Sequence, residues 1–370
     1  MSCNLLVTGG AGFIGTNFVH YWHHAHPQDS IVVLDALTYA GNLLGLKPLL
    51  EDDAIRFVHG DIGDNALVAD LLREHSITHL VHFAAESHVD RSISGPDAFL
   101  ETNITGTHSL LKAARKVWQQ EGLGGDAVRF HHISTDEVYG SLAPEDPAFT
   151  ETTPYAPNSP YAASKAGSDH IVRAYHHTYG LPVVTTNCSN NYGPFQYPEK
   201  LIPLMTVNAL SGKPLPVYGD GANVRDWLYV GDHCRGIELA LLNGQLGNCY
   251  NIGGNNEVKN IDLVRSICGE INRLFATQPG LAERFPDAPA ARGEKTEELI
   301  TFVTDRPGHD RRYAIDAALA QGELGFEPQE TWQTGLARTL QWYLDNEDWW
   351  RAIMSGSYKD WIDTNYKHRA

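Results

Sequence analysis

No stretch of the chain stays apolar for the about 18 residues that a membrane-spanning helix needs, so none is expected. Cysteine is sparse: Cys3, Cys188, Cys234, Cys249 and Cys268 lie scattered, with no C-x-x-C pair. That spacing excludes a disulfide framework and fits reduced thiols. Histidine is plentiful, but no H-E-x-x-H or similar ligand spacing occurs, so no metal is expected. His23, His24, His26, His176 and His177 fall near the ends of helical patterns, where cations are favoured. Positive charge is in the minority, with 28 Lys and Arg against 45 Asp and Glu, a net −17. Such a surface repels nucleic acid and anionic membrane. An anionic ligand therefore requires arginines placed locally against that field. The N-terminus carries no basic stretch or cleavage site before a strand-like run begins at Asn4. The expectation is a cytoplasmic protein without a secretory leader.

What is present is a globular composition, 42% hydrophobic and 20% charged. The first half alternates strands (Leu5–Thr8, Ile31–Leu34, Ile55–His59, His79–Ala84, Phe130–Ser134, Val183–Thr186) with helical patterns (Ile14–Trp22, Ala66–Glu74, Phe99–Gln119, Tyr161–Tyr179). That alternation predicts an α/β fold with a doubly wound, parallel, Rossmann-type sheet over residues 1–190, to which later segments could return. Beyond Asn191 prolines and glycines increase, as in Tyr192-Gly193-Pro194. The helical patterns there are Ile202–Leu210, Asp232–Leu242, Asp262–Leu274, Trp332–Leu344 and Asp348–Met354. Residues 191–370 are expected to form a smaller mixed α/β substrate-binding domain, with Gln278–Glu298 as a surface loop.

Gly9, Gly12 and Gly15 form a G-x-x-G-x-x-G turn between the first strand and the first helix, with Phe13 and Ile14 inside it. Glycine lets the backbone approach a pyrophosphate at a helix N-terminus. A lone glycine motif is weak, but Asp35 closes the next strand 20 residues past Gly15. A carboxylate there suits ribose hydroxyls and repels a 2′-phosphate, so NAD is expected rather than NADP. Asp61, with Ile62 beside it, suits a contact to adenine. The run Ala84-Ala85-Glu86-Ser87 ends the fourth strand, where a ligand crevice is expected, and Thr102 and Asn103 are expected to complete the wall.

Ser159-Pro160 reads as an N-cap and first turn, placing Tyr161 and Lys165 on one face of the helix that follows. A phenol near pKa 10 is a poor base at neutral pH. A neighbouring ammonium and the charged nicotinamide are expected to lower it, so that Tyr161 accepts a proton from a sugar hydroxyl. Thr135-Asp136-Glu137 follows the fifth strand. Two adjacent carboxyls in a closed site should not both ionise, leaving one acid and one base.

With these residues together, the chain resembles the extended short-chain dehydrogenase/reductases, and among them the nucleotide-sugar 4,6-dehydratases. The resemblance spans almost the whole length. It rests on residues 8–15, Ala84–Ser92, Ser134–Gly140, Tyr161–Lys165, Asn187–Pro194, Arg225–Val230 and Asp305–Asp310. It implies NAD as cofactor, dTDP-glucose as substrate and a homodimer joined through Phe99–Gln119 and Tyr161–Tyr179. It implies that Thr135, Asp136, Glu137, Tyr161 and Lys165 are catalytic. Tyr161 would deprotonate the C4 hydroxyl, Glu137 would remove the C5 proton, and Asp136 would protonate the departing C6 hydroxyl. It places Asn190 at the cofactor. Ser87, Thr135, Asn190, Glu199, Lys200, Leu201, Pro216, Tyr218, Arg225, Asn260, Arg306 and His309 are implied as substrate contacts. Three alternatives remain at this point: a dehydratase of UDP- or CDP-glucose, a 4-epimerase, and a non-catalytic NAD-binding protein.

Overall fold

The structure, a computed structural model, describes residues 2–305 and 310–356. Six strands come from the first half of the chain: β1 (Asn4–Thr8), β2 (Ser30–Asp35), β3 (Arg56–His59), β4 (His79–His82), β5 (Arg129–Thr135) and β6 (Val183–Cys188). They form a parallel sheet in the order β6-β5-β4-β1-β2-β3. The order reverses between β1 and β4, so the strand ends splay there and leave a crevice.

The period-two alternation of β1 explains the layers. Leu5 and Val7 face Phe18, Val19 and Trp22 of the Phe13–Ala25 helix. Leu6 faces the other way, toward Leu72, Leu110 and Leu111. Both faces are thus covered, as a parallel sheet requires. Each fully buried large side chain contributes roughly 2 kcal/mol through removal from water.

Six further strands complete the sheets: β7 (Asn190–Tyr192), β8 (Leu215–Tyr218), β9 (Val224–Tyr229), β10 (Cys249–Ile252), β11 (Glu257–Lys259) and β12 (Ile300–Val303). The β10 strand returns to the large sheet and pairs parallel with β6, making it seven-stranded. The helix before it, Val230–Asn243, packs Ile237 and Leu241 into the core on the face that carries Leu5 and Val7. The others form a β11-β9-β7 sheet and a β12-β8 pair. A separate core beside them gathers Trp227, Leu263, Ile267, Trp332, Leu336 and Tyr343.

Two expectations differ from the structure. Gln278–Glu298 is not a loose surface loop. It contains the Leu281–Arg284 and Pro289–Arg292 turns, and Leu281, Phe285 and Ala288 are buried in the second core. Its apolar residues are too irregularly spaced to show a period, yet enough of them anchor it. The Phe99–Gln119 pattern is one helical run from Asp97 to Gln120, but 100–106 and 115–120 wind as π-helix. The wider π turn coincides with Asn103, which accepts from the Glu86 amide at 2.9 Å and donates to the Ser164 hydroxyl at 2.8 Å. Asn103 therefore clamps the loop after β4 to the Pro160–Tyr179 helix instead of lining the crevice.

That helix starts as its sequence predicts. The Ser159 hydroxyl accepts from the Ala162 amide at 3.1 Å, and Pro160 occupies the first turn. Ser159→Ala is expected to lower stability by about 1 kcal/mol. Urea unfolding followed by circular dichroism measures it; an unchanged midpoint would remove the cap from the account.

Candidate active site

Six parallel strands end at one edge of the sheet, and their following residues line one cavity. Gly9, Gly12, Phe13, Ile14 and Gly15 come from the turn after β1, and Asp35 and Tyr39 from the end of β2 and beyond. Asp61 and Ile62 follow β3; Ala84, Ala85, Glu86 and Ser87 follow β4. Thr135, Asp136 and Glu137 end β5, and Cys188, Ser189 and Asn190 end β6. Thr102, Tyr161, Lys165, Glu199 and Lys200 close the walls.

The glycine turn is shaped for close backbone approach. Gly9 has φ +71°, and a Cβ there would lie 2.5 Å from the Ala84 nitrogen. A Cβ on Gly15 would lie 2.3 Å from the Gly9 carbonyl oxygen. No side chain caps the Phe13–Ala25 helix, so its first amides are left for an anion. Asp35 is buried, and its two oxygens accept from the Ala11 amide at 2.9 Å and the Leu37 amide at 2.8 Å. Burial pushes this carboxyl up, and the two amides oppose that. Spare lone pairs on both oxygens remain for hydroxyl donors. Asp61 is exposed and accepts from the Gly63 amide at 2.6 Å, which aims its loop. A glycine cradle, an uncapped helix and an acid at the second strand end fit a dinucleotide.

At the other end of the cavity lie the proton-moving groups. Asp136 is 2% exposed. Burial raises its carboxyl well above the ordinary range, and Glu137 and Asp226 raise it further. Its Oδ1 accepts from the Thr135 hydroxyl at 3.3 Å, whereas the buried Oδ2 has no partner among the described residues. Of the acid pair, Asp136 is therefore the member whose carboxyl burial favours in the proton-bearing form. The same Thr135 hydroxyl accepts from the Glu137 amide at 3.3 Å.

For Tyr161 the expectation combines the Lys165 ammonium with the charged nicotinamide. Burial, then the Glu137 carboxylate, push its phenol well above 10, and a hydrogen bond with Thr135 opposes them. Lys165 does not reverse this. Its ammonium is buried and donates to the Ile133 carbonyl at 2.8 Å. Burial also lowers Lys165 itself, opposed by Asp169. In the protein alone desolvation outweighs the ammonium, so ionising Tyr161 requires further positive charge.

Leu201, Pro216, Tyr218, Arg225 and Asn260 do not line this cavity. Leu201 opens the helix after Lys200, and Pro216 and Tyr218 lie on β8. Arg225 on β9 stacks over the Tyr313 ring at 4.3 Å and donates to the Asp310 carbonyl at 2.9 Å. It acts electrostatically on Asp136, so it adjoins the acid end of the cavity. Asn260 starts the Asn260–Thr277 helix, and its buried Oδ1 has no partner among the described residues. Arg306 and His309 lie outside the described residues.

Sequence reasoning missed Tyr39, Cys188, Ser189, Gln196 and Tyr197, which line the cavity. Cys188 and Ser189 could have been found from their place after β6; Tyr39 carries no sequence signal. Glu199 lies 3.5 Å from Arg91, whose guanidinium stacks on Tyr39 at 3.7 Å. Lys200 donates to the Ser87 carbonyl at 3.3 Å, joining the two halves across the mouth. Among the described residues no group of three His, Cys, Asp or Glu is placed to hold a metal.

Gly15→Ala is expected to weaken NAD binding by at least about tenfold, because the added methyl meets backbone rather than a movable side chain. Fluorescence titration with NAD checks this, and wild-type affinity would remove the cradle.

The profile of the GDP-mannose 4,6 dehydratase family matches residues 6–339. A dTDP-glucose 4,6-dehydratase of Xanthomonas campestris pv. campestris is 56% identical over 96% of this chain and 97% of its own length. One from Salmonella typhimurium is 51% identical over 99% of both. The dTDP-glucose 4,6-dehydratase of Streptomyces venezuelae, solved with NAD bound, superposes with a TM-score of 0.83 at 48% identity, covering 95% of this chain and 99% of that one. The chain belongs to the GDP-mannose 4,6 dehydratase family.

Proposed function

We propose that the protein is an NAD-dependent dTDP-glucose 4,6-dehydratase, a hydro-lyase giving dTDP-4-keto-6-deoxyglucose. The single observation that carries the dehydratase reading is the buried Asp136, its carboxyl raised well above the ordinary range, beside Glu137 in the same cavity as Tyr161 and Lys165. A 4-epimerase needs no such acid pair. The nucleotide is assigned from the relatives, all of which act by name on dTDP-glucose.

The dinucleotide is assigned to the glycine cradle, with Asp35 at its adenosine ribose, Asp61 and Ile62 at the adenine side, and Ala84, Ala85, Thr102 and Asn190 along its length. NAD held by these residues would supply the hydride exchange between C4 and C6 of the sugar and a positively charged ring. Tyr161 accepts the C4 hydroxyl proton, with Thr135 holding the same oxygen and Lys165 adding charge behind it. The 4-ketone acidifies C5, and Glu137 removes that proton. Asp136 gives its proton to the C6 hydroxyl, which leaves as water. The pair suits this division because burial raises the carboxyl of Asp136.

Ser87, Glu199 and Lys200 are assigned to the sugar and phosphates at the mouth. Leu201, Pro216, Tyr218, Arg225 and Asn260 are assigned to the nucleotide beyond it, together with Arg306 and His309. Arg225 meets a diphosphate with a planar fork, which offsets the acidic field of the chain. Residues 1–190, with the 230–252 return, form the NAD-binding part; the remainder of 191–370 forms the nucleotide-sugar part. A homodimer is supported by Ile93 and Leu100, large apolar side chains 48% and 47% exposed beside the two long helices. Free cysteines support a reducing, cytoplasmic setting. The keto product serves rhamnose and other deoxysugars alike.

Incubation with dTDP-glucose, and with UDP-glucose in parallel, followed by mass spectrometry, tests the reading. Loss of one water from the dTDP sugar is expected. Loss from the UDP sugar alone would move the substrate, and no mass change would sink the dehydratase. Glu137→Gln is expected to slow dehydration by about 100-fold or more while NAD stays bound. A wild-type rate in that variant would take C5 deprotonation away from Glu137.

A further inference from the structure

The mechanism leaves one buried ionisable cluster without a task. Asp169 lies one turn beyond Lys165 and two turns beyond Tyr161, so the three share a face of the Pro160–Tyr179 helix. Its carboxyl is 6% exposed and meets three side chains. Oδ1 is 3.0 Å from His132 Nε2; Oδ2 accepts from the Ser134 hydroxyl at 2.9 Å and the Tyr155 hydroxyl at 3.0 Å. Ser134 stands between two functional points of β5. On one side is Ile133, whose carbonyl holds Lys165; on the other begins Thr135-Asp136-Glu137. Tyr155 is itself held by Asn187 of β6 at 3.2 Å.

We infer that Asp169 is a positioning residue for this reaction: its buried carboxylate braces the end of β5 against the Pro160–Tyr179 helix and balances the charge of Lys165. The inference rests on the reading of Tyr161 and Lys165 given above. The bracing joins the two halves of the chemistry, because the proton acceptor and the ammonium ride on the helix while the acid pair rides on β5. A carboxylate takes all three contacts at once and keeps lone pairs to spare.

The charge balance follows from what faces Lys165. His82 on β4 and His132 on β5 are driven well below their ordinary value by burial, and Lys165 adds to this, so both are neutral. Burial drives the Cys188 thiol on β6 up, so it is neutral too. Asp136 and Glu137 act on Tyr161 rather than on Lys165. Asp169 is the carboxylate that opposes desolvation of the ammonium. Around Asp169 itself stand Tyr155, the thiol of Cys249 and His170, besides Ser134 and Lys165. Burial pushes Asp169 up to about 6, with Lys165 the largest opposing influence. It is therefore a carboxylate at neutral pH although folding disfavours that charge. A group that lowers stability where the enzyme works suggests a functional role.

The test compares kcat against pH for wild type, Asp169→Asn and Asp169→Glu, with dTDP-glucose as substrate. Removing the carboxylate leaves burial unopposed at Lys165, which then loses its proton at lower pH. The alkaline fall of kcat should move down by about one pH unit or more in Asp169→Asn, with KM unchanged, and return toward wild type in Asp169→Glu. An alkaline limb that superposes on wild type would overturn the inference. Melting temperature from pH 4 to 7 gives a second readout that needs no turnover. The native proton affinity of Asp169 is raised, so its stabilisation is full below about pH 4 and lost as pH rises through about 6. Wild type should thus lose stability relative to Asp169→Asn across that window, and a constant difference would also overturn the inference. An inactive wild type would sink the functional reading, yet the melting comparison would still decide the charge. Should Asp169→Asn fail to fold, Ser134→Ala removes one brace alone; a several-fold lower kcat at unchanged KM supports the bracing, and wild-type kcat overturns it.

Discussion

The structure turns on a backbone contact, Gly9 against Ala84. It occurs where β1 and β4 diverge, with a would-be Cβ on Gly9 2.5 Å from the Ala84 nitrogen. The carbonyl of Gly9 in turn lies where a Cβ of Gly15 would be, so turn, helix start and fourth strand end interlock without side chains. Opening any of these contacts by a methyl would move the helix N-terminus and the β4 loop together. Both borders of the cavity depend on that spacing, and so does the placement of Ser87 and Glu86 opposite Asp35.

A second constraint is the amount of charge held out of water. Asp136, Asp169 and Lys165 are all buried within a few residues of one another in the fold. Burial alone would neutralise each of them. The carboxyl of Asp136 is raised well above its ordinary range, which suits a proton donor. Lys165 and Asp169 instead oppose one another's desolvation, and three hydrogen bonds spread the carboxylate charge. The floor of the cavity is therefore a polar layer inside an apolar sheet. The cores on the two faces, built on Phe18 and Trp22 on one side and Leu72 and Phe130 on the other, supply the stability that such a layer does not.

Much of the cavity was legible in the chain because strand ends are local. Gly9 to Gly15, Asp35, Asp61, Ala84 and Thr135 to Glu137 each follow a short apolar run, and parallel strands bring such ends to one edge. Tyr161 and Lys165 were legible from a cap and a helical interval. Other features were not. The ionisation of Tyr161 depends on how deeply the phenol is buried, and no interval reports depth. The partnership of Asp169 with His132 and Ser134 spans more than 30 residues and carries no motif. Asn103 looked like a wall residue, and a π turn made it a clamp. The segment 278–298 looked polar enough to be a loop, yet Leu281 and Phe285 bury it.

By itself the sequence determined the alternation of strands and helices, the glycine turn, and which side chains could move protons, because each depends on neighbours within a few residues. The tertiary structure decided which of those side chains share a cavity, and which keep their charge there. It also returned β10 to the large sheet from beyond the second part's first strands. Those outcomes depend on desolvation and on pairing across long stretches of chain, and both exist only once the sheet has closed around them.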